Sequence, residues 1–341
     1  MFDEPIEPGQ TWEVDLFRPE DAEGVARLFL QVYGKEYPIK TFVEPVLLIE
    51  ENQARRTISI VARTPRGDIV GHNAIFNSAP FSGLYESGAG VVHPEYRGGA
   101  GIFARMNAHG LELGKNRFKI AGLFGESVCN HVFSQRMCAR LGAVNMAVEM
   151  DLMPAAAYSQ EGSARGRVSA LLDYIHIQSK PQTVFIPQVY GEALNFIYGG
   201  LADGRTQRPS KDPIPADGVT ELETQVFDFA QVARLAAKKA GQDFEQILAD
   251  LERDLEARGV VVVQIWLNLA WPWVGAVVDC LRRRGYFLGG LLPRWFDSDG
   301  LLLQKTAARP GWEDMQVYFE RAQKIAALAR ADWEDIKEKS R

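Results

Sequence analysis

The sequence predicts an α/β (α+β) fold, and three observations carry that prediction. Short alternating strand patterns and amphipathic helix patterns follow one another through most of the 341 residues. One strand, Leu84 to Val92, runs through a glycine-rich loop straight into a helix pattern. After a polar, proline-bearing interruption at 203–217, strand and helix patterns resume. A chain of this length buries a large core and is expected to form two domains.

The first strand is expected over 11–17, ended by Arg18-Pro19. Asp21 then caps a helix that carries Val25, Leu28, Phe29 and Val32 and ends near Gly34. A second, more apolar helix follows over 39–52. Residues 57–62 alternate, Thr64-Pro65-Arg66-Gly67-Asp68 turns and 69–76 returns, which is a hairpin. The strand from Leu84 comes next, and the helix after its loop has Ile102, Met106, His109 and Leu113 on one stripe. A buried strand at 118–124, a helix at 130–141 closed by Gly142 and a strand at 144–152 complete the series before Pro154.

Strand, glycine loop and helix start together make an anion site. The glycines free backbone N–H groups, the first helical turn adds its own, and the helix dipole favours negative charge there. Arg97 adds a guanidinium suited to phosphate oxygens. Two familiar glycine-loop chemistries do not fit. A nucleotide P-loop needs Gly-Lys-Ser/Thr, and that triplet is missing after Gly98-Gly99-Ala100-Gly101. A dinucleotide fingerprint needs an acidic residue about 20 residues on, at the end of a second strand. Glu112 is nearest that spacing, but it lies inside the helix pattern.

The run Val92-His93-Pro94-Glu95-Tyr96-Arg97-Gly98-Gly99 resembles the Val-x-Pro-x-x-Arg-Gly-x-Gly-x-Gly/Ala segment of the GNAT superfamily of acyl-CoA-dependent N-acyltransferases. That family holds the CoA pyrophosphate there. Ala100 stands where the family has a glycine, and a one-residue shift to Gly101 restores the pattern. The element order agrees, and Leu141-Gly142-Ala143 sits at the family's Leu-Gly-Phe step, so the resemblance spans about 11–154. It implies a mixed twisted sheet with helices on both faces and acetyl-CoA as co-substrate. The implied cofactor-binding residues are Val91, Val92, Arg97, Gly98, Gly99, Ala100, Gly101 and Ile102, with Asn130 on the pantetheine arm. Gly88 and Gly90 weaken the strand as plain sheet. They mark a bulge or close packing, or a splay that lets pantetheine lie along free backbone groups, and a bulge is one means of splaying.

Aminolysis of a thioester needs a neutral amine, a stabilised oxyanion and a proton for the leaving thiolate. Glu86 lies eleven residues before Arg97, where several members of that family carry a catalytic carboxylate. On a mostly apolar strand it is a candidate base with a raised pKa. Its structural alternative is a glutamate facing solvent or paired with an arginine. Tyr85 faces the other way and is expected to pack. Cys138 occupies the position of the family's tyrosine acid and reads as a structural thiol. The acid is left among His131, Ser134 and water, with His131 also a candidate substrate or CoA contact.

Residues 155–218 read as a linker and bridging layer, small and polar around Ser159-Gln160-Glu161-Gly162, with strands at 168–174 and 183–187 and a short helix near 190–198. The resemblance then implies a degenerate second copy over 219–306. There 219–235 reads as one long alternating strand, Asp243 caps a helix, 259–267 is a strand and 272–284 is a helix ended by Gly285. Residues 287–296 and 301–305 pair across Asp297-Ser298-Asp299-Gly300, and Arg284-Gly285-Tyr286 echoes the Leu-Gly-Phe step. Residues 236–241 offer two lysines and one glycine in place of an anion loop. The final segment, 307–341, is expected to be helical from 312 to about 337, with Met315, Phe319, Ala322, Ala326, Ala329, Trp333 and Ile336 in 4-3 spacing. It docks on the body or makes a dimer face. Arg294 and Asp297 are the residues expected to touch the acceptor.

A net charge of −6 argues against nucleic-acid binding. No apolar run reaches membrane-spanning length, the five histidines show no metal-ligand spacing, and Met1-Phe2-Asp3-Glu4 lacks a signal peptide's pattern. Three cysteines without a CxxC pair suit reduced thiols in the cytoplasm. The expectation is therefore a cytoplasmic N-acetyltransferase using acetyl-CoA and no metal. Its acceptor would be a small-molecule or protein amine, with no nucleic-acid or membrane partner and a homodimer as one option. The alternative is a non-catalytic acyl-CoA-binding sensor or scaffold, which the missing tyrosine favours and Glu86 opposes.

Overall fold

A computed structural model describes residues 6–34, 37, 39–98, 101–158 and 164–339. The chain divides into two compact units, 1–124 and 125–341. In the first, β1 (Glu13–Leu16) is followed by α1 (Ala22–Tyr33), α2 (Pro45–Gln53), β2 (Thr57–Arg63), β3 (Ile69–Phe76), β4 (Leu84–Val92) and α3 (Ile102–Leu113). The division falls inside β5 (Gly122–Val128).

Alternation along β2 decides the packing of this unit. Val61 points into one apolar cluster with Val25, Leu28 and Phe29 of α1 and Leu48 of α2. Its neighbours Ile60 and Ala62 point the other way, onto Ile102 and Met106 of α3. Helices therefore cover both faces of the sheet. Strands β1 to β4 pair antiparallel in order. β5 joins β4 in parallel, but the paired register covers only Leu84–Glu86 against Gly122–Phe124.

The second unit continues with α4 (Phe133–Arg140), β6 (Val144–Met153), β7 (Val168–His176), β8 (Gln182–Ile186), α5 (Gly191–Tyr198) and β9 (Arg205–Pro209). It ends with β10 (Glu221–Phe227), β11 (Val232–Lys239), α6 (Phe244–Ala257), β12 (Val262–Asn268), α7 (Val274–Arg283), β13 (Phe287–Leu292), β14 (Gly300–Thr306) and α8 (Glu320–Lys339). Its main strands follow the order β7-β6-β13-β14-β12-β11-β10, and β8 pairs in parallel with β9. Among the described residues no helix is long and apolar enough to cross a membrane.

Several elements differ from the sequence reading. Residue 154 is no edge of the fold, because β6 and β7 on either side of it form one antiparallel ladder. The long strand at 219–235 is two strands, β10 and β11, joined by a turn in which Gln231 takes a positive φ of 55°. Residues 205–209, expected to be irregular, form β9. The last helix starts at Glu320 rather than 312, after a short turn at Trp312–Asp314 and an extended stretch. In that stretch the Gln316 N–H donates to the Cys129 carbonyl, so the chain is used as a brace there.

Candidate active site

β4 leaves its regular register at the glycines. Val91 stands opposite His72 and Gly88 opposite Ala74, so Ala89 and Gly90 together face the single residue Asn73. That is a β-bulge, and Ala89 adopts a positive φ of 51° within it, a conformation that strains a residue with a side chain by roughly 1–3 kcal/mol. A Cβ on Gly90 would sit 2.2 Å from the exposed Phe103 ring, which would have to swing aside. Residues 87–92 also run on past the end of the β4–β5 register. The strand thus departs from regular pairing along both edges within a few residues.

Beyond Val92 a short turn, Pro94–Tyr96, is pinned by Tyr96, which is buried and donates its hydroxyl to the Glu7 carbonyl at 2.6 Å. Arg97 folds back and donates from Nε to the Val92 carbonyl at 3.0 Å while its side chain stays exposed. Gly101 is left-handed (φ 65°) and is the N-cap of α3, and among the described residues no side chain caps the first-turn N–H groups. The first turn carries no acidic residue. A helix start of that kind fits a diphosphate. Gly99 and Ala100 lie outside the described residues. Val91, Val92 and Ile102 turn their side chains into the two apolar clusters, so only their backbone is available to a cofactor.

Glu86 lies half-buried on β4, opposite Phe76 of β3 and Phe124 of β5. Its carboxylate reaches along the strand towards Gly88, where a Cβ would be 3.6 Å from Oε1. Tyr85 faces away and donates to the Arg55 carbonyl at 2.8 Å, as a packing residue does. His72, which no motif singled out, is wholly buried, and burial pushes its pKa down to about 4 despite a hydrogen bond with the Ala89 carbonyl. His93 is half-buried, and its pKa is also lowered, chiefly by burial.

The remaining candidates belong to the second unit. Asn130 is buried, and its carbonyl accepts from Gln316 Nε2 at 2.9 Å. His131 Nδ1 accepts from the Phe133 N–H at 3.3 Å, and Gln135 donates to the His131 carbonyl. Gln135 and Gln316 therefore hold this segment in place, and the 181-residue separation between them left no local signal in sequence. Cys138 accepts a hydrogen bond from Ser127 at 3.4 Å, and burial pushes its thiol up to about 12. A thiol that reluctant is a poor proton donor, which agrees with a structural role.

Arg294 and Asp297 pair with each other in the turn after β13. Arg294 is only 5% exposed, pairs with Asp297 at 2.7 Å and donates to the Gln178 carbonyl. Burial alone would raise the Asp297 carboxyl, but Lys180 and Arg294 more than offset it and hold it below its ordinary value. The partners come from two places: Arg294 in the turn after β13, and Lys180 and Gln178 in the connection between β7 and β8. Among the described residues no group of side chains is arranged to hold a metal ion.

No family model matches the sequence, and no curated protein matches it. Solved structures similar to this chain include a protein assigned to the GNAT family of acetyltransferases from Desulfovibrio desulfuricans, at 17% identity and a TM-score of 0.38, covering 49% of this chain and 100% of that one. Ribosomal-protein-S5-alanine acetyltransferase from Vibrio fischeri is similar at 16% identity and 0.40, over 52% of this chain and 98% of its own. A Salmonella typhimurium protein solved with its cofactor acetyl-CoA is similar at 13% and 0.40, over 50% and 96%.

Proposed function

We propose that this chain is an acyl-CoA-dependent N-acyltransferase that moves an acetyl group from acetyl-CoA to a primary amine. The observation that carries the reading is the bulged strand β4, followed after the Arg97 turn by a helix start with no acidic residue in its first turn. Acetyl-CoA supplies an activated thioester. The N–H groups of Gly101 and the first turn of α3, with the Arg97 guanidinium, would bind its diphosphate. The backbone freed at the bulge would orient the arm and donate to the thioester oxygen. Glu86 would take a proton from the substrate ammonium, directly or through water, and so leave the neutral amine to attack. As the C–N bond forms and the C–S bond breaks, the thiolate would take its proton from water, since Cys138 is ill suited to give one.

The second unit supports a degenerate repeat with no second donor site. The succession β10-β11-α6-β12-α7-β13-β14 repeats β3-β4-α3-β5-α4-β6-β7. β11 and β12 pair in parallel as β4 and β5 do, and β13 and β14 antiparallel as β6 and β7 do. At the place of the anion loop, Lys238 and Lys239 are tied to Glu223 and Glu221. Asp243 precedes α6, where its negative charge opposes an anion, and its carboxylate accepts from the Thr220 N–H. The reading therefore requires one CoA per chain.

Calorimetric titration tests it. Gly101→Val forces a branched residue into a left-handed conformation and should weaken CoA binding roughly tenfold or more while the fold persists. Unchanged affinity in a folded variant, or two CoA molecules per chain, would count against the reading. Cys138 in place of the family's tyrosine favours a second reading, a non-catalytic acyl-CoA sensor. Free-thiol release from acetyl-CoA across a panel of amines separates the two.

A further inference from the structure

We propose that His72 is a positioning residue for acyl transfer, clamping the Ala89 carbonyl so that the β4 bulge presents the Gly90 N–H to the donor thioester. This rests on the acyltransferase reading above. The imidazole Nδ1 lies 3.0 Å from the Ala89 oxygen, and Nε2 lies 3.0 Å from Ser59 Oγ. A carbonyl oxygen can only accept, so the proton belongs on Nδ1. Nε2 is then a bare acceptor, and the Ser59 hydroxyl must donate to it. Ser59 in turn is held by Asn52, whose Nδ2 donates to Ser59 Oγ at 3.2 Å and whose Oδ1 accepts from the Ser59 N–H at 2.8 Å. Every proton along this line has one place to be.

The clamp acts on a strained point. Ala89 is the positive-φ residue of the bulge, and two residues there oppose one on β3, so its carbonyl is displaced from the regular ladder. His72 reaches that carbonyl from the neighbouring strand. The ring is wholly buried, edge-on to Phe29 and Phe42 at 5.3 Å each, and cannot swing away. Because a trans peptide is planar, fixing the Ala89 C=O also fixes the Gly90 N–H in the opposite direction, away from His72. A preorganised donor of that kind accelerates acyl transfer without adding to ground-state affinity.

The test separates kcat from binding. His72→Leu should lower kcat roughly 10–100-fold, with the Kd for CoA kept within about threefold. His72→Asn places an amide donor at the Nδ1 position and should recover most of that loss. Wild-type kcat in a folded His72→Leu protein, or no recovery in His72→Asn, overturns the proposal. If His72→Leu does not fold, Ser59→Ala replaces it. That variant releases the tautomer and should lower kcat at constant KM, whereas an unchanged kcat overturns the proposal. One readout needs no activity. Nitrogen-15 resonances of His72 in the free protein should show Nδ1 protonated and Nε2 bare, and the opposite tautomer sinks the clamp. A wild-type protein that binds no CoA refutes the acyltransferase reading instead, and the tautomer measurement still stands.

Discussion

Glu86 is the residue whose replacement speaks most directly to chemistry. Glu86→Gln keeps the shape and removes the basicity, so kcat/KM should fall by roughly 10²–10⁴ near neutral pH while CoA affinity is spared. Wild-type rates in steady-state assays would transfer the role to a water chain. At this scale the loop and Glu86 are legible in sequence because their spacing is local: eleven residues separate Glu86 from Arg97 along one strand and turn. His72 is not legible. Its partners are 13 and 17 residues away on two other strands, and its importance comes from a bulge that register alone reveals. The partners of Arg294 and Asp297 are hidden in the same way, because Gln178 and Lys180 lie more than a hundred residues away in sequence.

Elements are legible where glycine or proline closes them and illegible where neither does. α1 and α4 stop at Gly34 and Gly142 as expected. The turn between β10 and β11 runs Asp228-Phe229-Ala230-Gln231, with no glycine or proline to mark it, so two strands read as one. β9 exists only by pairing with β8, a non-local cause that its own alternation does not show. The join between β13 and β6 offers a test at this scale. Gly290 opposes Ala147 with a φ of 141°, and a Cβ there would fall 2.5 Å from the Met146 carbonyl oxygen and 2.6 Å from the Ala147 Cα. Backbone atoms cannot step aside as a side-chain tip can. Gly290→Ala should destabilise the second unit by roughly 2–4 kcal/mol in urea unfolding. A loss under about 0.5 kcal/mol would mean that β13 and β6 adjust freely.

Across the molecule, the two units should respond oppositely to mild acid. In the first, His72 has a folded pKa of about 4 against an ordinary value of 6.5, so its unfolded form takes up a proton first. Its contribution is complete above about pH 6.5 and declines by roughly 3 kcal/mol as pH falls towards 4. In the second, burial raises Asp173 from 3.8 to about 6. The folded state holds that proton more tightly, so stability rises by a similar amount as pH falls from about 6 to 4. Hydrogen exchange followed from pH 7 to 4.5 should show first-unit amides losing protection while second-unit amides keep theirs. Parallel loss in both would refute this. Sequence placed a domain end near 154, since Pro154 and the polar run after it resemble a linker. The ladder between β6 and β7 crosses that point, so a chain ending at Pro154 should expose the buried side of β6 and aggregate.

The position of α8 has a consequence for synthesis. Its buried residues Ala322, Ile325, Ala329 and Ile336 belong to a helix that packs on β6 and β13, and it is the last element of the chain described. The strands beneath it leave the ribosome more than a hundred residues earlier in the case of β6. At about 5–20 residues per second, that apolar surface stays bare for several seconds at least. The first unit, complete by residue 124, has no such wait. A nascent chain stalled before Glu320 should therefore hold a folded first unit and a chaperone-binding second one.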